Sequence, residues 1–386
     1  MSPAGLPPEI EALCTEVNLA IAAFLDAAAP RVPQLEHPAF GRLYRSIYAY
    51  LRNGGRRMHA VAMLLAYRAT GGDPPSAILP VAVGFQLYHH HTMVHDDIYD
   101  EDAARRGSAT VHEAFSQWFS CAAPPNSPDA GSIFRSPARR RGAIAGWMQG
   151  KVVHALAFEA IASAPFPREE LFEVTRALNW HDVYDNAGQL ADVFHEHSPD
   201  LSPERSLGIA ELKTGRLFSV CVDAATRLSN ATVSQAHALG TWIQNLGVAY
   251  QLQDDLEDLE AESEKGRGRG VGTDLRSCKP TLLLALALQE AEPADRALLL
   301  DWVQGSGPTL DVGQFRHVVE RTGGLDACRA VVARKVAESS AALRRAEAAL
   351  PGESIEQMEA FGRYFVSPAY WRRPLPPPLD LFEARP

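Results

Sequence analysis

Two short acidic runs could carry chemistry: Asp96-Asp97-Ile98-Tyr99-Asp100 and Asp254-Asp255-Leu256-Glu257-Asp258. On a helix, positions i and i+4 share a face, one turn or roughly 6 Å apart. Asp96 with Asp100, and Asp254 with Asp258, therefore each aim two carboxylates the same way. Like charges this close oppose folding unless a cation sits between them. Magnesium is the natural one, a hard ion held by one or two carboxylates plus substrate phosphates. Two such clusters facing each other across a cavity would grip a diphosphate from both sides. Solvated acidic helix ends are the plain alternative. Each triplet, however, ends an apolar helical stretch and is followed by cations, which favours the site.

Cations with the right chemistry are Arg105 and Arg106 just after the first triplet, Lys213 midway, Lys279 after the second, and Arg56 upstream. Guanidinium forks match diphosphate oxygens, and lysine supplies a point charge. His89, Thr92, Asp96 and Asp100 follow 3-4-4 spacing and share one helix face. His91 and His95, at i and i+4, could begin a zinc site, but the sequence specifies no third ligand and the adjacent triplet asks for a harder metal.

The elements that must position these groups read as helices. Apolar residues recur at three and four in Phe40 to Arg52, Met58 to Arg68, Leu79 to Asp97, Ala143 to Ser163, Leu171 to His195 and Ser234 to Leu259. Pro and Gly fall between them, and neither βαβ alternation nor regularly spaced strand signals occur. The fold class expected is all-α. Ser116 to Gly142, with four prolines and Arg139-Arg140-Arg141, reads as an inserted surface loop, and the proline-rich stretch from Pro368 as an irregular tail. Residues 1–386 are expected to form a single domain around them.

Composition limits the function classes. The 386 residues are 46% hydrophobic and 22% charged, ordinary globular values. A net charge of −10 argues against nucleic acid as a partner. The longest apolar run, Ala60 to Tyr67, is far short of the roughly 20 residues of a membrane span, and the first ten residues lack the features of a signal peptide. Five widely spaced cysteines with no CxxC suit a reducing, cytoplasmic location.

With these residues in place, the chain resembles the trans-prenyltransferase, or polyprenyl synthetase, family of farnesyl and geranylgeranyl diphosphate synthases. The resemblance runs from about Phe40 to Leu288 in matching order, through "GGRRMHA", "HHHTMVHDDIYDEDAARRGSATVH", "KTGRLF", "YQLQDDLEDL" and "GTDLRSCKPT". It implies an isoprenoid synthase-type helical bundle around a deep central cavity, a homodimer, and a cluster of magnesium ions, three with bound diphosphate. Asp96, Asp100 and Asp254 would chiefly hold the metal, with Asp97, Asp255 and Asp258 in support. The allylic diphosphate would meet Arg105, Lys213 and Lys279, and isopentenyl diphosphate would meet Arg56, His89 and Arg106. Gln189 and Asp192 would line the same cavity. Thr214, Gln251 and the Lys213 carbonyl would supply oxygen dipoles beside the carbocation.

Departures from the family pattern bear on the acceptor. The second cation of the first basic segment is replaced by His59 and the proline after it by Ala60, and a lysine near the second triplet by Gly270. Residues a turn before the first triplet point down the cavity and limit chain growth. Here they are Thr92 and His91, with Tyr88 a turn deeper, which favours a C20 product over C15 and ranks long polyprenyl chains third. A class I terpene cyclase should carry one DDxxD with an Asn/Ser/Glu motif, and a non-catalytic partner subunit should have lost aspartates. Neither expectation is met.

Overall fold

A helix with no polar face sets the centre of the fold. In α3 (Met58–Ala69) every residue except Arg68 is buried, as expected for a helix apolar on all sides. The other helices are α1 (Pro8–Ala28), α2 (Pro38–Arg52), α4 (Leu79–Tyr99), α5 (Val111–Ala122), α6 (Pro137–Ala162), α7 (Arg168–Phe194), α8 (Pro203–Ala210), α9 (Arg216–Leu228) and α10 (Val233–Glu260). They are followed by α11 (Leu282–Glu290), α12 (Pro293–Val303), α13 (Val312–Arg321), α14 (Gly324–Arg345) and α15 (Gly352–Phe365). The structure is a computed structural model that describes residues 7–31, 38–52, 56–105, 107–122, 136–198, 201–260, 274, 278–279, 281–304, 311–346, 348–367 and 370.

The expected all-α class holds. The strands found among the described residues are β1 (Ala104–Arg105) and β2 (Ser108–Ala109), an antiparallel pair with Arg105 opposite Ser108. Around α3 pack α1, α4, α9 and α15, while α4 lies along α6, and α10 runs between α9 and α14. A main apolar core spans α1, α3, α4, α9 and α15, and a second lies between the C-terminal half of α10 and α11 to α14. Gly150 on α6 allows α6 to come close to α4, since a Cβ there would sit 2.3 Å from the His95 ring.

One expectation needs correction. The inserted loop is shorter than Ser116 to Gly142, because α5 continues through Ala122 and α6 begins at Pro137. Ser136 caps α6 by accepting the Arg139 N–H, and Pro137 occupies the first helical position, where its missing N–H does no harm. Arg139 to Arg141 therefore belong to the start of α6; positions 123–135 lie outside the described residues. The stretch Pro8–Arg31 is long and apolar enough, by length and composition, to cross a membrane. Its Ile10, Leu13, Val17, Ile21 and Leu25 are instead buried at 3-4-4-4 spacing against the α3 and α4 side of the core.

Candidate active site

Asp96 and Asp97 lie in the last turn of α4, and Asp100 is its C-cap. The β1–β2 hairpin, whose turn uses Gly107 at φ +77°, folds Arg105 back over them. Its guanidinium donates from Nε to Asp97 and lies 3.8 Å from Asp96 and 3.5 Å from Asp102. Arg106 is outside the described residues.

Lys213 and Thr214 sit in a one-turn π bulge, Glu211–Gly215, between α8 and α9. Such bulges turn side chains out of helical register. Gly215 and Gly247 let this turn press against α10: a Cβ on Gly247 would lie 3.0 Å from the Gly215 Cα. The close approach lets the Thr214 hydroxyl donate to Gln251 Oε1 at 2.6 Å, while Gln251 Nε2 donates to Asp255 at 3.0 Å. Lys213 Nζ donates to Asp192 of α7 at 2.5 Å and lies 3.7 Å from Asp96.

The second triplet ends α10. Asp258 is buried and accepts the Asp274 backbone N–H at 3.1 Å. Lys279 donates to Asp100 at 2.5 Å and lies 3.7 Å from the Asp274 carboxylate. The two triplets are thus joined through Lys279 and Asp274. Asp254 lies one residue before Asp255, whose carboxyl is held well above the usual range by burial, then by Asp274 and Asp254.

The electrostatics ask for more positive charge. Burial pushes Asp97 and Asp185 up to about 7 and Asp100 to about 6, against the pull of Arg105, Lys213 and Lys279 respectively. Asp97 Oδ2 and Asp100 Oδ1 are buried with no hydrogen bond. Clustered hard oxygens with unfilled valence, and lysines standing as counter-ions among them, fit a divalent oxygen-seeking cation. Sequence reasoning passed over Asp185 as a contributor. Its signal was present, since Asp182, Asp185, Gln189 and Asp192 follow 3-4-3 spacing on one face of α7. Gln189 is on the same face, with its amide nitrogen buried and unpaired.

Away from the triplets, Arg56 lies over the Tyr370 ring at 3.7 Å, and His59 stacks on Phe218 at 3.9 Å with His89 4.3 Å away. Burial, then His89 and His181, hold His59 well below its usual pKa, so it is neutral in the folded protein. Below pH 6.5 the unfolded chain takes up a proton that folded His59 refuses, so this residue makes stability fall as pH drops through that value. His59→Gln should shrink the loss of unfolding free energy between pH 7.5 and 5.5 by about 1 kcal/mol, measured by urea titration at both pH values. An unchanged difference would contradict the buried neutral ring.

One turn below the first triplet, Thr92 bonds the His89 carbonyl at 3.0 Å. His91 is buried, and Tyr88, fully buried, donates to Asp182 on α7 at 2.8 Å. The structure therefore brings Asp96, Asp97, Asp100, Arg105, Lys213, Asp192 and Lys279 into one ionic cluster, with Thr214, Gln251, Asp255 and Asp258 beside it. Arg56, His59 and His89 form a separate aromatic-lined group. Gly270 lies outside the described residues.

The family model described as Polyprenyl synthetase matches residues 41–322. A short chain isoprenyl diphosphate synthase of Methanothermobacter thermautotrophicus is 27% identical over 292 residues, 75% of this chain and 80% of the relative. An octaprenyl diphosphate synthase of Escherichia coli is 27% identical over 273 residues, 71% of this chain and 72% of the relative. The crystal structure of a geranylgeranyl pyrophosphate synthase from Corynebacterium glutamicum, complexed with isoprenyl diphosphate and magnesium, superposes with a TM-score of 0.81. It covers 94% of this chain and 99% of that one at 21% identity, and so shows the shared fold. With the matched span taking in both aspartate triplets and the cations around them, the chain belongs to the polyprenyl synthetase family of prenyltransferases.

Proposed function

We propose that the protein condenses isopentenyl diphosphate with an allylic diphosphate, in a magnesium-dependent reaction that stops at geranylgeranyl diphosphate. The observation that carries this reading is the ionic cluster itself. Lys213 joins Asp96 to Asp192, and Lys279 joins Asp100 to Asp274, whose backbone N–H Asp258 accepts, so both triplets converge on one place. Asp96, Asp100 and Asp254 would hold the ions, with Asp97, Asp255 and Asp258 bracing them. Bound there, magnesium would neutralise charge on the departing diphosphate. Arg105, Lys213 and Lys279 share that task from the protein side, in a water-poor site where fixed charge is most effective. Thr214, hydrogen-bonded to Gln251, keeps its oxygen lone pairs for the carbocation, and Arg56, His89 and Arg106 would hold the acceptor diphosphate. No side chain has to act as a nucleophile.

Product length is read from the floor of the cavity. Tyr88 is pinned by Asp182, and His91 stands one turn nearer the first triplet, so a chain growing down this face of α4 would pass His91 and stop at Tyr88. Relatives carry names from short-chain to octaprenyl synthases, so the floor of this chain, rather than its kinship, is the argument for C20. The purified protein should be incubated with magnesium, isopentenyl diphosphate and dimethylallyl, geranyl or farnesyl diphosphate, and the dephosphorylated products read by mass. A C20 alcohol is expected, and Tyr88→Leu should lengthen it by at least one C5 unit. A C15 stop, or an unchanged length in the variant, would overturn the product assignment. Starter alcohols or cyclised hydrocarbons without chain growth would overturn the condensation.

A homodimer is supported by α7, where Phe172, Trp180, Val183, Leu190 and Phe194 are exposed. Trp180, Val183, Leu190 and Phe194 form one stripe, and an unpartnered apolar stripe of this kind suits a helix face at an interface. Cytoplasmic residence is supported by Cys14, Cys221, Cys278 and Cys328, which are buried and widely spaced in the chain.

A further inference from the structure

Beneath the first triplet, three helices bring together a group of side chains that take no part in ionising the diphosphate. His91 of α4, His154 of α6 and Asp182 of α7 each offer a ligand atom, and these atoms lie within 4.8 Å of one another. His91 Nε2 is 4.0 Å from Asp182 Oδ1. The His91 and His154 rings meet edge-on with centroids 4.8 Å apart, and the His95 ring is 4.4 Å from His91 on its other side. A core histidine normally spends its ring nitrogens on hydrogen bonds. Here His91 Nδ1 and His154 Nε2 are buried with none.

We propose that His91, His154 and Asp182 form a transition-metal site, best suited to Zn2+, that ties α4, α6 and α7 together at the floor of the cavity. Two imidazoles and a carboxylate are a borderline-soft donor set of the kind zinc takes, distinct from the all-oxygen set above it. The fourth position falls to water or to His95, whose Nε2 now lies 3.3 Å from the Trp147 carbonyl. Tyr88 plays the orienting part, because its hydroxyl donates to Asp182 Oδ1, as does Asn186 Nδ2 at 3.4 Å, and the two hold the carboxylate beside His91. Tetrahedral zinc at about 2.0–2.1 Å from each ligand requires the donors to draw together by roughly 1 Å. Asp182 and His154 are only partly buried and can make that adjustment by side-chain rotation. Lys151 opposes a further cation, and Asp182 offsets it.

The test keeps the two kinds of site apart. Chelator-treated wild-type protein, the Asp96→Ala/Asp254→Ala double variant, His154→Ala and His154→Gln would be titrated with Co2+ and Zn2+ without substrate. Folding of each is checked by circular dichroism. Wild type and the double variant should bind one equivalent, with the intense visible absorption of four-coordinate Co2+ that Zn2+ displaces. Both His154 variants should lose that band and bind at least 100-fold more weakly. A band lost in the double variant but kept in the His154 variants would overturn the proposal, as would no stoichiometric binding by the wild type.

Discussion

Asp96→Ala is expected to lower kcat/KM for the condensation by about 1,000-fold or more while leaving the substrate-free protein at least as stable as before. The activity loss follows if Asp96 holds the metal and sets its charge as proposed, since single preorganised electrostatic groups account for roughly 100- to 1,000-fold each. The stability expectation follows from the neighbours. Asp96 raises the pKa of Asp97, Asp100 and Asp185, so without substrate it is a source of repulsion. Lys213 keeps Asp192, and Arg105 keeps Asp97, after it is gone. Steady-state kinetics and thermal unfolding on the same preparation check both halves. Activity within tenfold of wild type, or a marked loss of stability, would make Asp96 a structural residue.

Lys213→Met should fail in the opposite way with respect to folding. Lys213 is the counter-ion of Asp192 and a neighbour of Asp96, and both carboxylates raise its pKa against the effect of burial. Removing one partner of such a cluster leaves charge buried and uncompensated, at about 3 kcal/mol of unfolding free energy. The variant should also lose roughly 100-fold in kcat/KM, because the cation proposed to meet the departing diphosphate would be missing. Lys213→Arg should recover most of the stability. Urea unfolding and initial rates test the pair; a Met variant as stable as wild type would show that the lysine is not needed to neutralise the cluster.

The contrast between these variants reflects how much was legible in the sequence. The triplets were readable because helical spacing alone puts i and i+4 carboxylates together, and α4 and α10 do form where the apolar periodicity places them. The all-α class was readable for the same reason. Which cation answers which aspartate was not. The pairing of Lys279 with Asp100 spans 179 residues and depends on where α10 ends, which local pattern does not determine. Nor does spacing announce the π bulge at Glu211–Gly215, which arises where Gly215 meets Gly247 across two helices. The end of α5 and the start of α6 were lost in a proline-rich composition, although Ser136-Pro137 is a helix start by its own chemistry. His154 and Asp182 escaped notice because a ligand set drawn from three helices has no signature in any one of them.

The central claim is that the two aspartate triplets grip a diphosphate only together with magnesium. Calorimetric titration of inorganic diphosphate into the wild-type protein, with and without millimolar Mg2+, addresses it without relying on turnover. The expected result is saturable binding with Mg2+ that weakens at least 100-fold when Mg2+ is removed, and that disappears when either Asp96 or Asp254 is replaced by alanine. Diphosphate binding of equal strength without Mg2+, retained in both alanine variants, would contradict the account.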